Sequence, residues 1–293
     1  MKKIIYIIIL IPVFLLLLFI SYKVNLNNLP SSFINILEYK YKKSNLNINI
    51  DIIPLVINNY KYKTKFIKKK DEIKDNKTVL YTPNNPIVYI YNTHTNEEYS
   101  YNKSNLYNIV PTVKTASYIL QNELSNLGID SIVEENNVTN TVNERNLTYA
   151  KSYKVSREFL ENKKLEYPSL IYFIDIHRDS VKRSITTANI DNKNYAKTMF
   201  LLGLENEKYK ENQKVMNTLN SFLESNYKGL SRGIYEKSGY GVNGVYNQDF
   251  DKNVMLIEVG GYENTIEEVS NSLKVIANML KNYIIDNKST NID

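Results

Sequence analysis

The chain contains only two histidines, and both lie in stretches that could build a metal site. His94 is part of YNTHTNEEY and precedes Glu97 by three positions, whereas His177 is part of LIYFIDIHRDS. Two histidines and one glutamate form a ligand set used by catalytic zinc, which then keeps its fourth position for water. Zinc lowers the pKa of bound water from about 15.7 to about 7, which makes hydroxide available at neutral pH. His94, Glu97 and His177 are therefore candidate zinc ligands.

Glu258, in VMLIEVG, is the candidate catalytic carboxylate. It could accept a proton from the water molecule and pass it to the leaving amine. Partial burial after an apolar strand would raise its pKa. Simpler interpretations stay open, because a histidine after a strand is often an ordinary loop residue and Glu258 could pair with a lysine or arginine. Glu98 could also replace Glu97 as the ligand.

The composition excludes one catalytic class. The chain has no cysteine, which excludes a thiol nucleophile and a disulfide framework. The H-E-x-x-H zinc motif is also absent from the sequence. The main catalytic option is a zinc site built from His94, Glu97 and His177.

Apolar stretches of strand length alternate with stretches of helical spacing from position 86 onward. This alternation predicts an α/β fold with a central, mostly parallel sheet flanked by helices. Sites in such sheets form outside the carboxyl ends of the strands, so His94, His177 and Glu258 would converge if their strands are neighbours. The predicted strands are PIVYIYN, IDSIV, SLIYFIDI, SITTANI, TMFLLGL and VMLIEVG. The predicted helices are PTVKTASYILQNELSNLG, YAKSYKVSREFLEN, NEKYKENQKVMNTLNSFLES and TIEEVSNSLKVIANMLKNYI.

Residues 1–24 are predicted to form a single N-terminal transmembrane helix. Residues 4–20 are uncharged and apolar, and their length is at the short end of the roughly 17–25 residues that span a bilayer. Lys2 and Lys3 favour a cytoplasmic N-terminus, which places the rest of the chain on the extracytoplasmic side of the cell membrane. A cleaved signal peptide is the competing interpretation, but no small-x-small cleavage site follows.

Residues 25–82 are predicted to be a basic juxtamembrane linker, and residues 83–290 the catalytic domain. The lysines that dominate the net charge of +6 are concentrated at 62–77, and TPNNP at 82–86 is typical of a domain boundary. Because the charge does not cover a face, we expect no nucleic-acid partner. Attraction to anionic lipid or to a cell-wall polymer fits this segment.

Six motifs resemble, in type and order, those of the stage II sporulation protein P family. They are NTHTNEEY, SY-x-x-SR at 152–157, DIHRDS, GLSRGI, VYNQDF and LIEVGGYENT, and the resemblance covers about residues 86–285. Members of that family are membrane-anchored peptidoglycan hydrolases of endospore formers. Their core is similar to the zinc-dependent N-acetylmuramoyl-L-alanine amidases.

The resemblance implies Zn2+ held by His94, Glu97 and His177, with Glu258 as the catalytic carboxylate. It implies cleavage of the amide between muramic acid and the stem peptide in peptidoglycan, with a second activity on peptide cross-links as an option. The implied partners are stage II sporulation protein D, a lytic transglycosylase, and the membrane protein stage II sporulation protein M. Together they would act during engulfment of the forespore.

Two positions depart from the family pattern. The usual H-T-H is here N-T-H, so either the residue at Asn92 is not a required ligand or this chain binds metal differently. The usual E-S-Y is here Glu97-Glu98-Tyr99, and register favours Glu97 as the ligand.

Two arginines are further candidate catalytic residues. Arg178 directly follows His177 and could stabilise a developing oxyanion or orient the histidine, although a salt-bridged turn fits equally well. Arg232 lies in GLSRGI, predicted to be a loop, and is suited to binding a carboxylate of the stem peptide.

Three further features are weighed from the sequence. Asp175 would share a strand face with His177, Tyr246–Asp249 could line a groove or form a turn, and Asn264 is predicted to be a helix N-cap.

Two alternatives to the amidase remain: a zinc carboxypeptidase or endopeptidase on stem peptides, and a catalytically silent wall-binding scaffold.

Overall fold

The computed structural model describes residues 85–100 and 110–289, which belong to one structural unit. The predicted membrane anchor at 1–24 and the basic linker at 25–82 lie outside the described residues, as do residues 83 and 84 at the start of the predicted catalytic domain. Among the described helices, none is both long and apolar enough to cross a membrane.

A six-stranded sheet forms the centre of this unit, in the strand order β2-β1-β3-β8-β6-β7. Every neighbouring pair is parallel except β6 and β8, so the prediction of an α/β fold with a mostly parallel sheet is confirmed. A separate antiparallel hairpin consists of β4 and β5. The strands are β1 (Val88–Tyr91), β2 (Ser131–Val133), β3 (Tyr172–Asp179), β4 (Thr187–Ile190), β5 (Lys193–Ala196), β6 (Thr198–Gly203), β7 (Ser231–Lys237) and β8 (Val254–Gly261).

Helices cover both faces of the sheet. Successive strand residues point to opposite sides, and apolar side chains on each side pack against helices. Ile174 and Ile176 face a large core that includes side chains of α1, α5 and α6. Phe173 faces the other side, where Leu160 of α3 packs. The helices are α1 (Val113–Asn126), α2 (Val138–Glu144), α3 (Ser152–Glu166), the short α4 (Arg183–Thr186), α5 (Tyr209–Asn226) and α6 (Ile266–Ser289), and a 3-10 turn occupies Tyr149–Lys151.

Several elements differ from the sequence prediction. SITTANI is a short helix followed by β4, and its hairpin partner β5 was not predicted. The turn between them uses Asp191 and Asn192 with φ of 49° and 59°, residue types that tolerate the left-handed region. GLSRGI was predicted to be a loop because of its glycines, but it enters β7. Gly233, with φ of 82°, lies beside an irregularity in the β6–β7 pairing, which explains how a strand can contain it.

The start of α6 corrects the prediction for Asn264. Thr265 and Glu268 form a reciprocal capping box, in which the Glu268 N–H reaches the Thr265 hydroxyl and the Thr265 N–H reaches the Glu268 carboxylate. Asn264 precedes this cap, is fully buried, and uses its side chain to tie β8 to neighbouring elements. Its structural role is therefore larger than that of an N-cap.

Candidate active site

The loop that carries His94 and Glu97 follows the end of β1, and hydrogen bonds of the Asn92 side chain hold it in place. The Asn92 side chain is buried; its amide donates to Ile176 O at 2.8 Å, and its Oδ1 accepts from Ser117 Oγ at 3.0 Å. Glu97 N–H donates to His94 O at 3.0 Å, which closes a turn between the two candidate ligands. Asn92 thus fixes the loop to β3 and α1, and this explains its place in the N-T-H motif.

His177 and Glu258 are brought together by the pairing of β3 with β8. The two residues are direct partners in the parallel register, on the sheet face that α3 covers. Both strands continue beyond them, to Asp179 and Gly261. The expectation that the site lies outside the carboxyl ends of the strands is therefore wrong for these two residues; they lie within the strands, and an irregularity in the pairing follows directly after His177.

The candidate ligands lie around one point. The imidazole rings of His94 and His177 are 5.2 Å apart and nearly perpendicular. His177 Nδ1 is 3.4 Å from Glu97 Oε2, which is about the separation of two ligand atoms that each lie roughly 2.0–2.1 Å from a tetrahedral zinc ion. His94 Nδ1 is buried and has no hydrogen-bond partner among the described residues. The donor set therefore fits zinc, although no group of three such side chains in the described ranges is already shaped as a metal site.

Burial and the neighbouring charges shift the pKa values of the candidate ligands. Burial and the neighbouring His177 lower the pKa of His94 to about 4, so that its imidazole is neutral, the form that binds metal. Burial alone would lower the pKa of His177, but Asp175 and Glu97 outweigh it and hold that pKa well above its usual value. Burial also raises the pKa of Glu97, but His177 and the Arg178 N–H bring it below the ordinary value. The carboxylates thus favour a cation at this place.

Glu258 has the environment of a proton carrier. Its Oε2 is buried and has no hydrogen-bond partner within the described part of the chain. Burial raises the pKa of Glu258 to about 7, against the opposing effect of His177, and the charges of Glu97 and Asp179 raise it further. A carboxyl group with a pKa near neutrality can both accept and release a proton at physiological pH.

Arg178 braces the loop of the candidate ligands. Its backbone N–H donates to Glu97 Oε2 at 3.0 Å, and its Nε donates to Glu98 O at 3.0 Å. The Glu98 side chain is exposed, whereas Glu97 faces His177. Of the two glutamates left open by the sequence, the structure thus brings Glu97 to the histidines.

Arg232 lies on β7 instead of in the predicted loop, and its guanidinium already has a partner. It donates to Asp179 Oδ2 at 2.7 Å, and both side chains are mostly buried. Since Asp179 acts electrostatically on Glu258, this ion pair lies close to the candidate site. Binding of a substrate carboxylate by Arg232 stays a prediction.

Two tyrosines that sequence reasoning did not select complete the site. The ring of Tyr149 stacks on His94 at 4.5 Å and is 65% exposed, so it covers the histidine from the solvent side. Tyr153 stacks on His177 at 6.5 Å and contacts His94 edge-on. Tyr153 belongs to the SY-x-x-SR motif, a signal that could have identified it, whereas nothing in the sequence marked Tyr149.

The turn Tyr246–Asp249 is largely structural. Tyr246, Asn247 and Gln248 are buried, and the Gln248 amide bonds both Leu201 O and the Gly203 N–H. Only Asp249 is exposed, where it pairs with Arg157. The turn interpretation therefore describes most of this segment.

Comparison with known proteins assigns the family. The profile of Stage II sporulation protein P (SpoIIP) matches residues 31–281. The chain belongs to this family. Stage II sporulation protein P of Bacillus subtilis (strain 168) is 31% identical over 223 residues, which are 72% of this chain and 54% of that protein. The chain thus spans about half the length of this relative, and the resemblance seen in the motifs is confirmed.

Solved structures share a more distant likeness. The CwlD amidase of Clostridioides difficile, in complex with the GerS lipoprotein, is 14% identical with a TM-score of 0.43, over 71% of this chain and 100% of that chain. The N-acetylmuramoyl-L-alanine amidase AmiC2 of Nostoc punctiforme is 11% identical with a TM-score of 0.41, over 68% of this chain and 97% of that chain. Likenesses of this strength carry no argument about the site.

Proposed function

We propose that the chain is a zinc-dependent peptidoglycan hydrolase, an N-acetylmuramoyl-L-alanine amidase that removes stem peptides from glycan during sporulation. The observation that supports this most is the convergence of His94, Glu97 and His177 beside a buried, unpartnered Glu258. Membership of the stage II sporulation protein P family supports the substrate class and the role in forespore engulfment.

In this proposal His94, Glu97 and His177 hold the ion. Zinc, when bound, supplies a Lewis acid for the amide carbonyl and an acidified water molecule. Glu258 accepts a proton from the attacking water and delivers it to the amide nitrogen that leaves. Its burial is what makes both transfers feasible near neutral pH, because it raises the pKa of the carboxyl to about 7.

The remaining residues of the site position these groups. Arg178 holds the Glu97 carboxylate through its backbone N–H and braces the loop through its guanidinium. Arg232 offsets the charge of Asp179 next to Glu258. Contact of either guanidinium with substrate, at an oxyanion or a stem-peptide carboxylate, is part of the proposal.

Residues 1–24 would anchor the domain on the extracytoplasmic side of the cell membrane, where its substrate lies. The basic linker would keep the domain near the wall, and stage II sporulation proteins D and M would be its partners. These points extend the family resemblance to the part of the chain outside the described residues.

The test combines metal content with product analysis on the full chain purified in detergent without a histidine tag. We expect about one zinc per chain and release of intact stem peptides from glycan, identified by mass spectrometry. His177→Ala and Glu97→Gln should lose both zinc and hydrolysis, whereas the matched control Glu98→Gln should keep both because that side chain is exposed.

Other outcomes separate the alternatives. Cleaved cross-links or shortened peptides, without free intact stems, would identify a carboxypeptidase or endopeptidase. A folded parent that takes up no zinc and digests no wall would favour the scaffold. Loss of zinc in Glu98→Gln but not in Glu97→Gln would show that the assigned ligand is wrong.

A further inference from the structure

A buried chain of hydrogen bonds ends at Asp175, which lies against His177, and the proposed mechanism does not yet use it. Asp175 lies two residues before His177 on the same face of β3 and is fully buried. Thr93, between β1 and His94, donates its N–H to Asp175 Oδ1 at 2.9 Å and its hydroxyl to Oδ2 at 2.6 Å. His177 Nε2 is 3.0 Å from Asp175 Oδ1.

The burial of Asp175 requires an explanation. A buried carboxylate is costly unless it is paired with a charge and hydrogen-bonded. Among the described residues, the only ion-pair partner of Asp175 is His177, and no lysine or arginine reaches it. The contact to Nε2 lies outside hydrogen-bond geometry, so the attraction between the carboxylate and the ring is mainly electrostatic.

The hydrogen bonds continue away from the site into α3 and the turn before β8. Thr93 Oγ1 is 2.8 Å from Ser156 Oγ, and Asn247 Nδ2 donates to Ser156 Oγ at 2.9 Å. All of these side chains are buried. Asn247 and Tyr246 both have left-handed backbones, with φ of 60° and 56°, which are uncommon outside glycine.

The same turn supports His177 by a second route. The Tyr246 ring contacts Tyr153 edge-on at 5.2 Å, and Tyr153 in turn stacks on His177. Three separate segments, at Thr93, Ser156 and Tyr246–Asn247, are thus linked to His177 through Asp175 or Tyr153. A core built for stability alone has no need to bury a carboxylate at this point.

We infer that Asp175, oriented by Thr93, is a positioning residue that directs His177 Nδ1 toward the candidate metal. Its carboxylate occupies the Nε2 side of the ring, which leaves Nδ1 on the side of Glu97 Oε2. A carboxylate on the second nitrogen of a metal-binding histidine fixes the ring and increases its basicity as a ligand. This inference rests on the proposed zinc site.

The test measures zinc affinity by competition with a chromogenic chelator, together with the melting temperature of the metal-free full chain in detergent. Thr93→Val keeps the shape of the side chain but removes the hydroxyl, whereas Thr93→Ser keeps the hydroxyl. We expect Thr93→Val and Asp175→Asn to bind zinc roughly 10–100-fold more weakly than the parent, measured well below their melting temperatures. Thr93→Ser should bind it nearly as tightly as the parent.

The outcomes are distinguishable. A parent that binds zinc together with folded Thr93→Val and Asp175→Asn variants that bind it equally well would overturn the inference and leave the proposed function intact. A lowered melting temperature with unchanged zinc affinity would also overturn it, because the network would then be merely structural. A parent without zinc would remove the proposed function, and the inference with it. If Asp175→Asn does not fold, the zinc affinities of Thr93→Val and Thr93→Ser alone test the inference.

Discussion

Two clusters of buried polar side chains lie along β8, and they differ in whether their hydrogen bonds are complete. Around Asn264, just after the strand, the side chain accepts from the Gly261 N–H and the Thr186 hydroxyl. It also donates to the Thr187 hydroxyl and to Glu268, so that its full capacity is used. Around Glu258, by contrast, buried polar atoms of the carboxylate and of His94 have no hydrogen-bond partner within the described ranges.

This difference separates a cluster that stabilises the fold from one that is arranged for chemistry. Buried polar groups are nearly always paired, because an unpaired one costs free energy. Several unpaired polar atoms in one place, beside charged groups that shift the pKa of their side chains, therefore indicate a site that binds a ligand or transfers a proton. Variants of the two clusters test this comparison. Those around Glu258 should lower activity, whereas those around Asn264 should lower the free energy of unfolding.

The largest effect is expected at Glu258. Glu258→Gln removes the proton carrier but keeps the shape of the side chain, so we expect the rate of amide cleavage to fall by about 10²–10⁴-fold. The free energy of unfolding should change little, because Oε2 has no hydrogen bond to lose within the described residues. Wall digestion and denaturant unfolding measure these two quantities, and zinc content is determined on the same samples. A variant with the parental rate would exclude Glu258 as the proton carrier.

The opposite behaviour is expected at Asn264. Asn264→Ala leaves several buried groups without partners, so the free energy of unfolding should fall by about 2–4 kcal/mol. The fraction that remains folded should still bind zinc. Asn282→Ala is the matched control on α6, where the exposed amide only bonds Asn278 O, and it should stay within about 0.5 kcal/mol of the parent. Equal unfolding curves for Asn264→Ala and Asn282→Ala would contradict the stabilising role.

The smallest effect is expected at the rim of the site. Tyr149→Ala removes the ring stacked on His94, a type of contact worth about 0.5–1.5 kcal/mol, so zinc affinity or activity should fall by roughly two- to tenfold. Tyr149→Phe keeps the ring and should behave as the parent. If the two variants lose activity equally, the hydroxyl and not the stacked ring is what the site uses.

Much of the fold could be predicted because its signals are local. The strands that carry His177 and Glu258 are runs of β-branched and apolar residues, and α1 stops just before Gly128, whose φ of 77° few other residues adopt. β7 escaped prediction because its glycines are typical of loops. Register with the family motif likewise favoured Glu97 over Glu98, and Glu97 is the glutamate that faces His177.

The supporting residues could not be predicted in the same way. Asn92 was an unexplained departure until its contacts with β3 and α1 were visible. Tyr149 reaches His94 from a 3-10 turn more than fifty positions away along the chain. The ion pair of Arg232 with Asp179 was not predicted, because the two residues are likewise more than fifty positions apart in sequence. Each of these contacts depends on packing between elements, which no local pattern encodes.

The sequence by itself determined most of the strands and helices, the family, and the residue types available for catalysis, because these depend on local pattern and composition. Only the tertiary structure decided that β3 and β8 are neighbours in a register that sets His177 beside Glu258. It also decided that Asp175 is buried against the second nitrogen of His177. Both depend on contacts between distant segments, and their free energy comes from burial and pairing that exist only once the chain has folded.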